Sequence, residues 1–359
     1  IIEICMKRNI LALAIALMLT SLCSCEKAPE TSHYPSGAGN TENPSKPGKD
    51  ENEDDGKKDE KPALPVGQET IRVLFVGNSF TLDATEHLPG ILNAAGITNF
   101  SMERAYHGGY TLVGYNDKFN NPEVCLRYKL EPGYEKWDGD QSYNTANCNS
   151  SLADFWDSGK PYDIVVMQEY TGTRYAWAGF DRHLEGIEAV KGLMEKIRAK
   201  QPDKEPIFVY LMSQTFATGS ELLQTWWHND RSRMYAAMTS HVKLLLEQTG
   251  IKWLIATGTA VENLRTTSLN IDNGMDLSRD LFHLDKGITR YAANCTVFDT
   301  ILGPCVGKTM STNTYRFPTS DTSHTNYTTP VTDSNAPIAQ TAALKAIESP
   351  LEVTDLSNL

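Results

Sequence analysis

Short apolar runs of strand length recur along this chain, each followed by a segment of helical length, and that alternation restricts the fold more than any other feature. The clearest runs are Ile71-Arg72-Val73-Leu74-Phe75-Val76, Asp163-Ile164-Val165-Val166-Met167, Ile207-Phe208-Val209-Tyr210-Leu211-Met212 and Trp253-Leu254-Ile255-Ala256, with a further strand expected at 99–105. Runs with so little polar interruption suit strands buried on both faces, as in a parallel sheet covered by helices. Helices are expected at 84–95, 180–200, 231–249 and 286–302, with Gly96 and Gly250 as stops for the first and third. The alternation predicts an α/β fold, a three-layer α/β/α sandwich around a central parallel sheet of about five strands, of the flavodoxin-like kind. A closing helix at 336–347 would pack outside it. The stretches 107–149 and 309–332 read as irregular, and a loop as long as the first usually borders a site in a compact domain.

Neither end of the chain reads as core. From Met6 the sequence MKRNILALAIALMLTSLCSC has basic residues at Lys7 and Arg8, then an apolar run, then small residues and cysteines, the organisation of an export signal. The apolar run is about 13 residues, short of the roughly 20 that a spanning helix needs. Leu22-Cys23-Ser24-Cys25 resembles a bacterial lipobox. Ser24 before Cys25 fits the small residue that precedes a lipidated cysteine, whereas Leu22 is too bulky to serve Cys23 in that way. An ordinary cleaved signal containing two cysteines is the alternative. Residues 1–25 are thus expected to be a lipoprotein signal peptide. Residues 26–68, dominated by Pro, Gly, Ser, Glu, Asp and Lys, are expected to be a disordered tether, since they cannot bury enough apolar surface to offset their ordering entropy. The folded domain is expected at 69–350. The protein would then be exported and held at a membrane by a lipid anchor alone, with the outer membrane, facing the periplasm or the cell surface, as the expected site.

A formal net charge of -12 argues against a nucleic-acid partner, which demands a basic face, and favours a neutral or weakly charged substrate. Cys125, Cys148, Cys295 and Cys305 form an even set in a compartment where disulfides persist. Sequence closeness suggests the pairs Cys125–Cys148 and Cys295–Cys305, other connectivities are open, and four buried free thiols are the alternative. No CxxC pair, HExxH or Cys/His cluster with zinc spacing is present, so no metal is expected.

Two segments carry the residues that chemistry would need. Gly77-Asn78-Ser79-Phe80 follows the first strand and places a serine where the chain turns towards helix, next to backbone N–H groups able to face an oxyanion. The GxSxG elbow is absent, because Thr81 stands where its second glycine would be. Far downstream, Asp280-Leu281-Phe282-His283 leads into a helix. Its spacing lets a loop carboxylate hold the imidazole through one ring nitrogen while the other faces a serine. Either motif alone is weak; their conjunction on one sheet carries weight.

That order and setting resemble the GDSL/SGNH hydrolase superfamily, whose first block carries the nucleophile and whose last carries DxxH. More narrowly, the GNSF start and the Gln-containing third block resemble an uncharacterised family of SGNH-like lipoproteins of gut Bacteroidetes. The resemblance implies a Ser-His-Asp triad without a cofactor: Ser79 as nucleophile, His283 as general base and Asp280 as its orienter. It also implies an oxyanion hole from Ser79, from Gly109 in His107-Gly108-Gly109-Tyr110, and from Gln168, which stands where the superfamily has asparagine. Glu169 beside it reads as a solvated carboxylate. His107 and Tyr170 are candidate substrate contacts, and Tyr175, Trp177, Trp226 and Trp227 add aromatic character to loops after strands. The expectation is a serine esterase acting on a small-molecule or glycan ester, for example deacetylating a carbohydrate. The alternatives are a glycan-binding or scaffold protein on a hydrolase-like fold, and an acyltransferase using the same residues.

Overall fold

The computed structural model describes residues 60–169, 180–271, 274–323 and 325–359. Six strands form one sheet: β1 (Ile71–Gly77), β2 (Phe100–Tyr106), β3 (Leu126–Leu130), β4 (Ile164–Gln168), β5 (Ile207–Leu211) and β6 (Trp253–Ile255), in the order β3-β2-β1-β4-β5-β6. All neighbours pair in parallel except β2 and β3, which are antiparallel. Without that edge strand, the parallel strands run second, first, third, fourth, fifth in chain order, the doubly wound arrangement of a flavodoxin-like sheet. Such a sheet binds ligands beyond the carboxyl ends of its strands, where the chain order reverses, which here is the end of β1.

The apolar runs are continuous because both faces are covered. Val73, Phe75, Ile164, Val166, Val209 and Leu211 face one core, shared with the helices Thr257–Arg265, Ile288–Val297 and Ala336–Glu348. Leu74, Val76, Val165, Met167, Phe208 and Tyr210 face the other, shared with Phe180–Lys200 and Arg231–Thr249. The strand β3 lies in the stretch expected to be irregular. In Leu126-Arg127-Tyr128-Lys129-Leu130 only alternate residues are buried, so this edge strand has one polar face and no apolar run to announce it.

Two expectations change, one for a helix and one for an irregular stretch. The helix expected at 84–95 is two short ones, α1 (Ser79–Thr85) and α2 (Leu88–Ala94), separated at Glu86-His87, with Pro89 in the first turn of α2 where its missing N–H costs nothing. The segment 309–332 is pinned by antiparallel bridges, Phe317 to Val331 and Asp321 to Thr328. Residues 60–67, assigned to the tether by composition, lie against β6: Lys61 sits 3.4 Å above the Trp253 ring, and the indole N–H donates to the Pro62 carbonyl at 2.9 Å.

Candidate active site

Ser79 is the first residue of α1, immediately beyond β1. Asn78 caps this helix in extended backbone conformation, its Oδ1 accepting the Phe80 N–H at 3.0 Å. Its Nδ2 donates to the Tyr110 carbonyl at 2.9 Å and so ties the Gly108-Gly109 turn to the nucleophile strand. Gly77 lets these parts approach: a Cβ there would stand 2.1 Å from Thr81 Oγ1 and 2.7 Å from Gln168 Oε1. Ser79 itself is partly exposed, as a side chain that meets substrate must be.

Asp280 and His283 lie on a tight loop between Leu277 and Asp285. The Arg279 N–H donates to the His283 carbonyl at 3.0 Å and the Asp285 N–H to the Leu277 carbonyl at 3.0 Å, closing the loop on itself. Asp276, Leu277 and Leu281 adopt left-handed backbone, φ 45°, 59° and 75°, which is strained for residues with side chains. The loop after β5 secures it: Gln214 Nε2 donates to the Phe282 carbonyl at 2.9 Å and the Ala217 N–H to the Leu281 carbonyl at 2.8 Å.

These two segments, about 200 residues apart in sequence, meet side chain to side chain. His283 Nε2 lies 2.7 Å from Ser79 Oγ, and His283 Nδ1 lies 2.8 Å from Asp280 Oδ2. A carboxylate can only accept, so Nδ1 carries the ring proton and Nε2 presents its lone pair to the serine hydroxyl. Asp280 Oδ1 accepts the backbone N–H of His283 at 2.8 Å. Burial alone would push the Asp280 pKa up, but the hydrogen bonds from the His283 ring and backbone N–H, with the positive electrostatic surroundings, outweigh it and hold the carboxyl down at about 2. The imidazole is wedged between Phe282, 4.1 Å away between centroids, and Phe80, edge-on at 5.7 Å.

Gln168 departs from expectation. It is fully buried, and its Oε1 accepts the Asn78 N–H at 3.2 Å and the Thr81 hydroxyl at 2.8 Å, while its Nε2 donates to the Glu169 carbonyl. Its amide braces the turn from beneath: the oxygen and one N–H are engaged by the protein, and none of the side chain is exposed. Glu169 also differs from the solvated carboxylate expected: it is buried, and its Oε2 accepts the Leu112 N–H at 3.0 Å, holding the helix Leu112–Asp117 that follows the glycine turn. Gly109 is exposed with φ 68°, a conformation that favours glycine. His107 stacks on Tyr110 at 4.2 Å and directs Nδ1 to the Val124 carbonyl at 2.5 Å.

Cys125, Cys148, Cys295 and Cys305 are free thiols, so neither suggested pair is bonded. Cys125 donates to the Ser150 carbonyl and Cys305 to the Ile301 carbonyl within its helix. Among the described residues no group of three or more His, Cys, Asp or Glu side chains could hold a metal ion. Tyr170, Tyr175, Trp177 and Cys25 lie outside the described residues. The residues missed from sequence are those that hold the site together: Asn78, Thr81, Asp83, Gln214, Arg279 and Arg290. Of these only Asn78, a capping residue before a helix, carries a local signal.

A sequence profile described as "Domain of unknown function (DUF4886)" matches residues 72–333. The crystal structure of a DUF4886 family protein from Bacteroides uniformis ATCC 8492 is 26% identical, with a TM-score of 0.62, over 81% of this chain and 99% of that one. More distant likeness extends to an acetyl xylan esterase, AlAXEase, at 14% identity and TM-score 0.39, over 65% of this chain and 100% of that one. A carbohydrate esterase family 2 enzyme of Corynascus thermopiles (Myceliophthora fergusii) is 15% identical with TM-score 0.39, over 68% of each chain. No curated protein matches the chain.

Proposed function

Because the chain belongs to the DUF4886 family, whose description names no activity, its chemistry must be argued from the site, and we propose that it is a serine esterase with Ser79 as nucleophile. The observation that carries this reading is the continuous hydrogen-bonded line from Ser79 Oγ through both ring nitrogens of His283 to Asp280. Each link is at hydrogen-bond distance and each partner has the donor or acceptor character the chemistry requires.

In the first half-reaction Ser79 Oγ attacks the ester carbonyl carbon while its proton passes to His283 Nε2. The imidazolium so formed is stabilised by the Asp280 carboxylate across Nδ1. The carbonyl oxygen becomes an oxyanion, for which the backbone N–H groups of Ser79 and Gly109 are the proposed donors. The imidazolium then gives its proton to the departing alcohol, leaving an acyl-Ser79 ester. Water, deprotonated by His283 Nε2, attacks that ester, and the acid leaves as the proton returns to Ser79. His283 Nε2 is the protein group that takes and returns the proton in both half-reactions.

The substrate class we favour is an acylated carbohydrate. The partly exposed rings of His107, Tyr110 and Tyr143 lie near the glycine turn, Tyr143 packed edge to face at 5.7 Å on the buried Tyr106, and aromatic rings at the rim of a site suit stacking against a sugar.

The test is mass spectrometry of the protein after exposure to a fluorophosphonate, alongside hydrolysis of p-nitrophenyl acetate and of an acetylated xylan. Labelling confined to Ser79, reduced about 10³-fold or more in His283→Ala, and acetate release are the expected results. Absence of labelling and of hydrolysis in the wild-type protein would overturn the reading.

A further inference from the structure

Ser79 and Asp83 stand one helical turn apart on α1, so their side chains leave the same face of the helix. Each meets the loop that carries the base, and at neighbouring residues. Ser79 Oγ lies 2.7 Å from His283 Nε2, and Asp83 Oδ2 accepts the N–H of Leu284 at 3.0 Å. The nucleophile helix and the base loop are therefore joined twice.

The second joint is heavily braced. Arg279, from the same loop, donates through Nη1 to both Asp83 oxygens, at 2.9 and 3.0 Å, and to the Leu284 carbonyl at 2.5 Å. Arg290, from the helix Ile288–Val297, donates through Nε to Asp83 Oδ1 at 2.8 Å, with Nη2 2.7 Å from the same oxygen. Asn294 of that helix donates to the Asp83 carbonyl at 3.0 Å. The Asp83 side chain is 0% exposed, and those of Arg279 and Arg290 are 10% and 11% exposed. Burial pushes the Asp83 carboxyl up, but the two guanidiniums outweigh it and hold the group below the ordinary carboxylate range.

A buried charge cluster of this kind is a poor source of stability, since well-packed apolar residues often do as well. What it supplies is register. At the entry to the loop it holds and within it, Asp276, Leu277 and Leu281 adopt left-handed backbone, a conformation that persists only where the surroundings enforce it. Resting on the esterase reading above, we propose that Asp83 is a positioning residue: its carboxylate, braced by Arg279 and Arg290, fixes the Asp280–His283 loop so that the imidazole stays within reach of Ser79.

Asp83→Asn tests this on the full chain. The substitution keeps the shape, removes the charge and turns one acceptor into a donor facing other donors. Displacement of a catalytic group by about 1 Å can cost ~10²-fold, and a fall of that order is expected in the fluorophosphonate labelling rate of Ser79, normalised to the folded fraction by near-ultraviolet circular dichroism. Faster hydrogen exchange at the His283 and Leu284 amides should accompany it. Arg290→Met should slow labelling in the same way, and Arg290→Lys, which restores the positive charge, should recover part of the rate. A purely structural role would lower Tm and leave the rate per folded molecule unchanged. Rates for Asp83→Asn and Arg290→Met within about threefold of wild type, where misplacement predicts far more, would overturn the proposal. Should Asp83→Asn fail to fold, the two Arg290 variants decide by the same criterion. Should the wild-type protein not be labelled at all, the esterase reading falls separately. Exchange at the two amides in Arg290→Met then decides: faster exchange supports the clamp, and unchanged exchange overturns it.

Discussion

A backbone N–H can only donate, so the Gln168 atom that faces Asn78 must be the carbonyl oxygen, and that single requirement settles where the amide points. The same oxygen takes the Thr81 hydroxyl, and the side chain lies wholly inside the protein. Gln168→Met, close in volume, strands two buried donors, each worth about 1–3 kcal/mol, and roughly 2–6 kcal/mol of stability should be lost. Urea unfolding measures this, and a loss below about 0.5 kcal/mol would mean that both donors find other partners. The direction of this amide was not legible in the sequence, because it depends on a partner 90 residues away. Asp280 and His283 were legible as a pair, since a spacing of three within one loop brings carboxylate and imidazole together locally. Asp83, Arg279 and Arg290 gave no such signal, for charged residues this far apart announce no pairing until the chain has folded.

Between β1 and α1 the chain turns within a single residue, Asn78, and the whole site hangs on how tightly that turn closes. Gly77 sets the limit. Its missing Cβ leaves room for Thr81, in the first turn of α1, to reach Gln168 at the end of β4. In Gly77→Ala the strand and helix must separate, and about 1–3 kcal/mol of overpacking cost is expected, with slower labelling of Ser79 because the serine moves with the helix. Thermal unfolding and the labelling rate are the two readouts, and neither should stay at the wild-type value. Elements buried on both faces were readable as apolar runs, which is why β1, β4 and β5 stand where the pattern places them, and β6, a half-buried edge strand, was readable because its run is still apolar. The edge strand β3 was not, because one of its faces is polar. Nor was the break between α1 and α2, where both sides keep helical periodicity and only Pro89 hints at a restart.

Across the whole molecule, buried titratable groups pull stability in opposite directions as pH changes. Asp280, held at about 2, contributes stability above its ordinary value that is lost as pH falls through the folded one. His87 works in the same sense over a higher window: burial lowers it to about 4, so its contribution is present above about 6.5 and is lost as pH falls towards 4. Asp285 and Asp299 oppose them. Burial raises each to about 6, only partly offset by the N–H groups that bond them, those of Gly287 and Thr329 for Asp285 and that of Met310 for Asp299. Their folded form prefers the proton, so their contribution is complete below about pH 4 and is lost as pH rises through about 6. With opposing terms in one window, the absolute profile says little, whereas a difference between two proteins isolates one group. Asp285→Asn cannot ionise; its single amide oxygen keeps an acceptor for only one of the Gly287 and Thr329 N–H groups, a loss that does not vary with pH. Relative to wild type, the variant should therefore gain stability steadily between pH 4 and 7, by an amount on the order of 2–3 kcal/mol at the upper end. Urea unfolding of both proteins across that range checks it: curves that run parallel would show that Asp285 titrates alike in the folded and unfolded chains.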